Sequence, residues 1–416
     1  MAADLHAATD YVVRFSCFIC PEHPPRERWF TALPADLATR SHYTVPTQAL
    51  VLSLVVEHKM SLVHAADFGR THFHLDGLTP STAMRWLRDG CPTDEMLAER
   101  ERALVERFSG QLAFDEVYSG GKALLKATDP IVGVEVAYEF VDGPVDHAAI
   151  VAFFRRLETR GFQPQVVVTD GASVYPAAIA EVWPKAKHQS CVFHFLQTWT
   201  KLAMKAFWHC YGLMPTPEAR GPGRPKKRGR RRMDKIKRDN RDIVRRARYL
   251  FLTRPENLTE EQEGRMRAAI QLYPALGTLR ELVLAVYGLF GPDVRDVDTA
   301  RVRRAAILSE YKFGLPFLEP LLRQLRDEAV FDKLIVALAY ENAERTTNHV
   351  ERQNREYRKR QKSHYRLRTR RSEDALLGFL LFLPRAAPRK HPVGRQKLER
   401  RRPPPATTNS EVAMAN

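Results

Sequence analysis

Cysteine is scarce in this chain: the five residues Cys17, Cys20, Cys91, Cys191 and Cys210 among 416 are odd in number and not spaced as a disulfide framework. This excludes a disulfide-stapled scaffold and suits a reducing compartment. No apolar run approaches bilayer length, and the opening MAADLHAATDYVVRF has no basic stretch leading into an apolar core, so neither a membrane protein nor a secretory leader is expected. No internal repeat is found, which removes a solenoid from consideration. Negative charge is also in deficit, with 49 Asp and Glu against 66 Lys and Arg and a formal net charge of +17. That balance favours a polyanionic partner, nucleic acid first, and a cytoplasmic or nucleoid-associated protein. What is present is ample apolar material: 44% hydrophobic residues can bury a sizeable core, and the length allows two or three domains.

Composition shifts along the chain mark boundaries. Residues 1–44 read as irregular, and Cys17-x-x-Cys20 followed by His23 is half of a zinc ribbon. A structural zinc takes four ligands, and no second CxxC exists to complete it. Residues 45–109 read as a helix-turn-helix-like DNA-binding region. Its helices span 45–58, a short stretch from 62 to near Gly69, and a third element that Thr79 caps and Pro80 opens. On that third helix Ser81, Thr82, Arg85 and Arg88 would face the major groove. The gap before it is longer than the motif usually allows, so a plain helical cap is the alternative.

Residues 110–200 change character. Strands are predicted at 112–119, 122–127 and 131–140, a helix capped by Asp146, a buried strand at 165–169, a helix at 175–182 and a last strand at 188–193. Three strands, a helix, a strand, a helix and a strand form the order of a ribonuclease H-like α/β fold, whose fourth strand returns parallel beside the first. Asp115 lies in the first strand, in AFDEVYSG, and Asp170 ends the fourth, in VVVTDG. The pattern therefore brings two carboxylates together. Acidic groups within about 4 Å repel by roughly 4 kcal/mol at an effective dielectric near 20, so such a cluster calls for a cation. Mg2+, or Mn2+, as a pair of ions suits oxygen ligands and an in-line phosphoryl displacement. Taken alone, Asp170 before Gly171 could be a turn residue, and Asp115 could face solvent with Glu116 turned inward.

A third acid stands in RTTNHVERQNREYRKRQK. On a helix starting near Asn348, residues Glu351, Asn354, Arg355 and Arg358 share a face, one acid among phosphate-binding groups. The competing reading is a capping box between Asn348 and Glu351.

The strings FDEVYSGGK, VVTDGASVYPAAI, HQSCVFHF and TTNHVERQNREYRK together resemble bacterial insertion-sequence transposases related to the Mutator group. The resemblance covers about residues 110–385 and follows the family's motif order. It implies a ribonuclease H-like core interrupted by an all-helical insertion. It also implies a catalytic, metal-binding triad of Asp115, Asp170 and Glu351, with Cys191 and His194 matching a Cys-x-x-His element. By the same resemblance, water cleaves at the transposon end and the freed 3′ hydroxyl attacks target DNA, on a homodimer or higher oligomer. The departure lies at the N-terminus, where a full zinc ribbon is absent.

The expected division is therefore the irregular segment 1–44, the DNA-binding region 45–109, the first part of the core at 110–200, a basic linker and helical insertion at 201–340, the final core helices at 341–385 and a basic, Pro-rich tail at 386–416. Within the linker, Gly223-Arg224-Pro225 followed by Lys226 and Lys227 resembles an AT-hook for a narrow minor groove, or else a solvated basic linker touching phosphates. Cys191-x-x-His194 supplies at most two zinc ligands, and packing at the end of a strand is its default role. Two other functions compete with the transposase: a ribonuclease H-like nuclease without strand transfer, which has little use for a large insertion, and a domesticated DNA-binding protein, which would have lost its acids.

Overall fold

The computed structural model of the chain describes residues 13–16, 29–32, 43–119, 121–217, 228–311, 315–363, 369–382 and 398. Cys17, Cys20, His23, Arg224, Lys226, Lys227 and the tail other than Leu398 lie outside the described residues.

The segment 1–44, expected to be irregular, contains a short antiparallel ladder of β1 (Val13–Ser16) and β2 (Trp29–Ala32). Strands of four residues are too short for alternation to be read against the surrounding prolines. Four helices follow: α1 (Val45–Val56), α2 (Leu62–Phe73), α3 (Pro80–Asp89) and α4 (Asp94–Arg107). Thr79 caps α3 by accepting from the Thr82 N–H, with Pro80 in the first turn, as expected. Gly69 does not end α2. It lies inside the helix, where its lack of a side chain lets Leu78 approach: a Cβ there would stand 2.5 Å from Leu78 Cδ2, which would have to move aside.

The central sheet runs β5–β4–β3–β6–β7, formed by β3 (Gln111–Ser119), β4 (Lys122–Asp129), β5 (Val134–Asp142), β6 (Val166–Thr169) and β7 (Lys187–Ser190). The first three strands form an antiparallel meander, while β6 pairs parallel with both β3 and β7. This is the mixed ribonuclease H-like sheet that the element order anticipated. The crossovers are α5 (His147–Thr159) and α6 (Val174–Val182). On β3 alternate residues divide between the faces. Leu112 and Phe114 pack with Phe153, Phe154 and Tyr175 of α5 and α6, whereas Ala113 packs on the opposite side with Val168 and Val350.

The last strand ends at Ser190, not at residue 193, and Cys191 becomes the N-cap of α7 (Val192–Leu213). Apolar residues there recur at helical spacing, with Val192, Trp199, Ala203, Phe207 and Cys210 buried along one face. β7 itself is the polar stretch Lys187–Ser190, and the apolar residues Cys191, Val192 and Phe193 that extended the expected strand open α7 instead. After α7 come α8 (Arg228–Ala247), α9 (Glu260–Leu272), α10 (Ala275–Leu289), α11 (Val297–Glu310), α12 (Glu319–Arg326) and α13 (Glu328–Ile335). They enclose a core of their own around Trp199, Phe207, Phe251, Leu279, Val283 and Leu321. At about 1.5–3 kcal/mol per buried large side chain, this insertion carries its own hydrophobic driving force.

The chain then returns to the sheet through α14 (Asn348–Ser363) and α15 (Arg370–Phe382). These helices and α1–α3 share one core, in which Val55, Trp86 and Leu87 meet Val117, Tyr357 and Leu376. The N-terminal helical region is thus packed on the sheet face that carries Val117. Lys59 Nζ lies 2.8 Å from Glu356 Oε1 of α14, and the Arg360 guanidinium donates to the Val56 carbonyl. Among the described residues, no helix is long and apolar enough to cross a membrane.

Candidate active site

The pairing of β3 with β6 sets Ala113 opposite Val168. Two residues further along both strands, the same register brings Asp115 beside Asp170. Asp115 falls on the face of Ala113, which packs with Val168 and with Val350 of α14, and Asp170 is close enough to raise the Asp115 carboxyl. Asp170 is the first residue beyond β6, where the chain turns through Gly171 at φ +92°. Its Oδ1 accepts the Ala172 N–H at 3.0 Å, which orients the carboxylate at the strand end. The Asp-Gly turn signal and the position beside Asp115 are therefore both realised.

Glu351 reaches this place because the returning segment is fastened to the sheet. The Gln189 side chain donates to the Leu334 carbonyl at 2.9 Å and accepts from the Ala337 N–H at 2.8 Å. Gln111 does the same with the backbone of Glu344, at 2.7 and 2.9 Å, and the Val192 N–H donates to the Arg345 carbonyl. These bonds set the start of α14 above the ends of β3 and β6. One turn in, Glu351 Oε1 accepts from the Thr347 hydroxyl at 2.7 Å. Asn354, a further turn along, is buried and donates from Nδ2 to Asp115 Oδ2 at 2.7 Å.

The acids perturb one another. Burial, reinforced by Glu116, Glu351 and Asp170, pushes the Asp115 carboxyl up to about 7, against the lowering effect of the Asn354 hydrogen bond. Glu116, the next residue on β3, points to the other face and accepts from the Tyr175 hydroxyl. Its carboxyl is raised by burial and by Asp170, while the Tyr175 bond lowers it. Tyr175 is itself driven up by burial and by Glu116. The sequence pattern presents Glu116 only as the inward alternative to Asp115; the structure gives the two acids separate partners on separate faces.

Cys191 and His194 stand at the first turn of α7 beside Glu351. His194 Nδ1 lies 3.8 Å from Glu351 Oε1, and sulfur, imidazole nitrogen and carboxylate oxygen all fall within 4.8 Å of one another. The Cys191 sulfur, then Glu351 and Asp170, raise His194 to about 9, with burial opposing. Burial works to raise the Cys191 thiol, but hydrogen bonding to His194 and Thr347 outweighs it and leaves the thiol below its ordinary range. Thr347 donates to Cys191 Sγ from its N–H at 3.3 Å, and its hydroxyl stands at the same distance. Thr347 carries no signal in the sequence, since only the fold brings it against the Cys-x-x-His element. His209 and Cys210 lie on the last turns of α7, away from this pair, and Cys210 is buried in the insertion core.

The basic residues expected on DNA divide into three groups. Arg85, Arg355 and Arg358 are exposed, and Arg352, Lys359 and Lys362 extend an exposed basic face along α14. Arg88 instead turns onto α15, donating from Nε and Nη2 to Ser372 Oγ at 3.0 and 2.7 Å, because α3 packs against that helix. Asn354 is committed to Asp115 rather than to solvent.

Asp115, Asp170 and Glu351 are near enough to act on one another electrostatically, although their oxygens do not close to within 4.8 Å as a group; burial first, and then the neighbouring acids, hold the Asp115 carboxyl near neutrality, and an all-oxygen donor set of this kind suits hard divalent cations. Cations there would relieve the mutual repulsion that raises Asp115. The donor chemistry therefore fits Mg2+ or Mn2+.

Among known proteins, residues 144–329 match the ISL3 family model of DDE transposases, described as Transposase. The match takes in Asp170, Cys191 and His194 and stops before Glu351. The motif strings resemble the Mutator group, whereas the matching model is that of the ISL3 family. Among solved structures, the Drosophila P element transposase strand transfer complex is similar at 12% identity with a TM-score of 0.39, covering 80% of this chain and 91% of that one. No curated protein matches the chain. Residues 144–329 are thus similar to a transposase domain of the DDE type.

Proposed function

We propose that this transposase uses Asp115, Asp170 and Glu351 to hold two divalent cations, Mg2+ or Mn2+, cleaves the ends of its own insertion-sequence element, and joins the freed 3′ hydroxyl to target DNA. The reading rests chiefly on the parallel pairing of β3 with β6, whose direction carries Asp115 toward Asp170, together with an α14 whose Asn354 donates to Asp115. When bound, the cations stabilise the attacking and leaving oxygens of an in-line phosphoryl displacement. The chain's own groups prepare for this. Asn354 fixes the orientation of the Asp115 carboxylate, Thr347 orients Glu351, and the protonated His194 adds positive charge beside Glu351. Arg355 and Arg358, with Arg85 on α3, supply phosphate contacts that position the duplex, and Arg224, Lys226 and Lys227 extend them along the linker. Arg88 acts by holding α3 on α15. The protein works on DNA as a homodimer or higher oligomer, in the cytoplasm on the nucleoid, and its element falls within the ISL3 or Mutator-related groups.

The test is a Mg2+-dependent cleavage and strand-transfer assay on the element's end DNA, comparing wild type with Asp115→Asn, Asp170→Asn and Glu351→Gln. All three variants should lose chemistry while retaining DNA binding. A Glu351→Gln protein that cleaves at the wild-type rate would reduce Glu351 to a helix-capping residue. Cleavage without joining would leave a nuclease of the same fold.

A further inference from the structure

Cys191, His194 and Glu351 present a donor set that Mg2+ chemistry does not need. One thiol sulfur, one imidazole nitrogen and one carboxylate oxygen lie within 4.8 Å of one another, and Nδ1 and Oε1 are already 3.8 Å apart, close to the edge of a tetrahedral zinc site. Sulfur is a poor ligand for Mg2+ and a good one for thiophilic cations. His194 Nδ1 is buried, and its only neighbours of consequence are the other two donors of the cluster, the Cys191 sulfur and Glu351 Oε1, so no outside partner competes with a cation for it. Cys191 caps the N-terminus of a helix running Val192–Leu213, where the helix dipole favours a thiolate, and the Thr347 N–H donates to its sulfur as an outer-layer group orients a ligand. The cluster is reachable from outside: the side chains of His194 and Glu351 are 30% and 26% exposed, while Cys191 forms the closed floor. Three protein ligands leave a fourth position for water.

We propose that Cys191, His194 and Glu351 form a thiophilic cation site that takes Zn2+ and, in doing so, withdraws Glu351 from the catalytic carboxylates. The binding site stands on the three donors alone. The inhibition rests on Glu351 being the third catalytic acid, as proposed above. A carboxylate shared between two competing sites makes Zn2+ an antagonist of Mg2+ rather than a substitute for it.

Co2+ is the probe, since its thiolate complexes show a ligand-to-metal charge-transfer band. It is added to the full-length protein, and the wild-type spectrum is compared with that of Cys191→Ser; Cys17 and Cys20 remain in both proteins, so their contribution cancels. A difference band is expected, lost in Cys191→Ser and weakened in His194→Ala and Glu351→Gln, which covers the case of one variant failing to fold. The second arm titrates Zn2+ into cleavage reactions at fixed Mg2+, each protein read against its own zinc-free rate. The half-inhibiting Zn2+ concentration should rise about tenfold or more in Cys191→Ser, the usual cost of losing a ligand or its support. No difference band overturns the site. A band with equal zinc inhibition of wild type and Cys191→Ser overturns the competition for Glu351. Because the spectroscopic arm needs no catalysis, an inactive wild-type protein would count against the proposed function and not against the cation site.

Discussion

Replacing Asp115 by Asn should stabilise the cation-free protein, and more so at pH 8 than at pH 5, while ending cleavage. Burial, with Glu116, Glu351 and Asp170 adding to it, raises this carboxyl from 3.8 to about 7. A folded-state value above the unfolded one means that the folded protein holds the proton more tightly, so stability falls as pH rises between about 4 and 7 and is level beyond. At 1.36 kcal/mol per unit, the ionised carboxylate costs about 4 kcal/mol at pH 8. At pH 5 the unfolded carboxyl is already ionised while the folded one is protonated, and the same linkage leaves a cost of about 2 kcal/mol. The advantage of the variant should therefore grow by about 2–3 kcal/mol between the two pH values. Chemical denaturation of both proteins with chelator present measures it, and Mg2+ should shrink the wild-type deficit at pH 8 by favouring the ionised cluster. A wild-type-minus-variant difference that is the same at both pH values would refute the reasoning, since Asp115 would then be neither desolvated nor crowded by other acids.

Asn354→Ala should lower cleavage about 10–100-fold with DNA affinity kept. It should also move the acidic limb of the pH–rate profile upward, because the Asn354 hydrogen bond favours ionised Asp115. Gln189→Ala strips the partners from the Leu334 carbonyl and the Ala337 N–H in a fully buried position, so a loss of about 2–3 kcal/mol in denaturant stability is expected, together with slower cleavage as Glu351 loses its placement. For the double variant Arg355→Ala and Arg358→Ala, a fluorescence titration against salt should give a log affinity–log salt slope shallower by roughly 0.9 per phosphate contact removed. An unchanged slope would take those two side chains off the DNA.

How far the sequence carries the fold depends on the range of the interactions involved. The meander, the two crossover helices and their order follow from local periodicity, because Phe153, Phe154 and Leu157 at helical spacing and Val166–Thr169 as a short apolar run each admit one reading. The Thr79–Pro80 start of α3 follows from capping chemistry that needs only neighbouring residues. Where the polar strand β7 runs straight into the apolar first turn of α7, pattern alone placed the boundary too late, and the four-residue strands at the N-terminus were too short to register at all.

The candidate site divides the same way. Asp115 and Asp170 could be singled out beforehand, since a strand-centred acid and a strand-ending Asp-Gly pair are local anomalies that parallel pairing turns into neighbours. The sequence also put Glu351 and Asn354 on one helical face. Only the tertiary structure decided that Asn354 serves Asp115 rather than DNA, that Arg88 serves α15, that Gln189 fastens the segment leading to α14, and that Thr347 meets Cys191 after an insertion with a core of its own. Composition and periodicity report which residues must be buried or charged, whereas the partner of a buried polar group is set by distances closed across more than a hundred residues of chain, which no local pattern encodes.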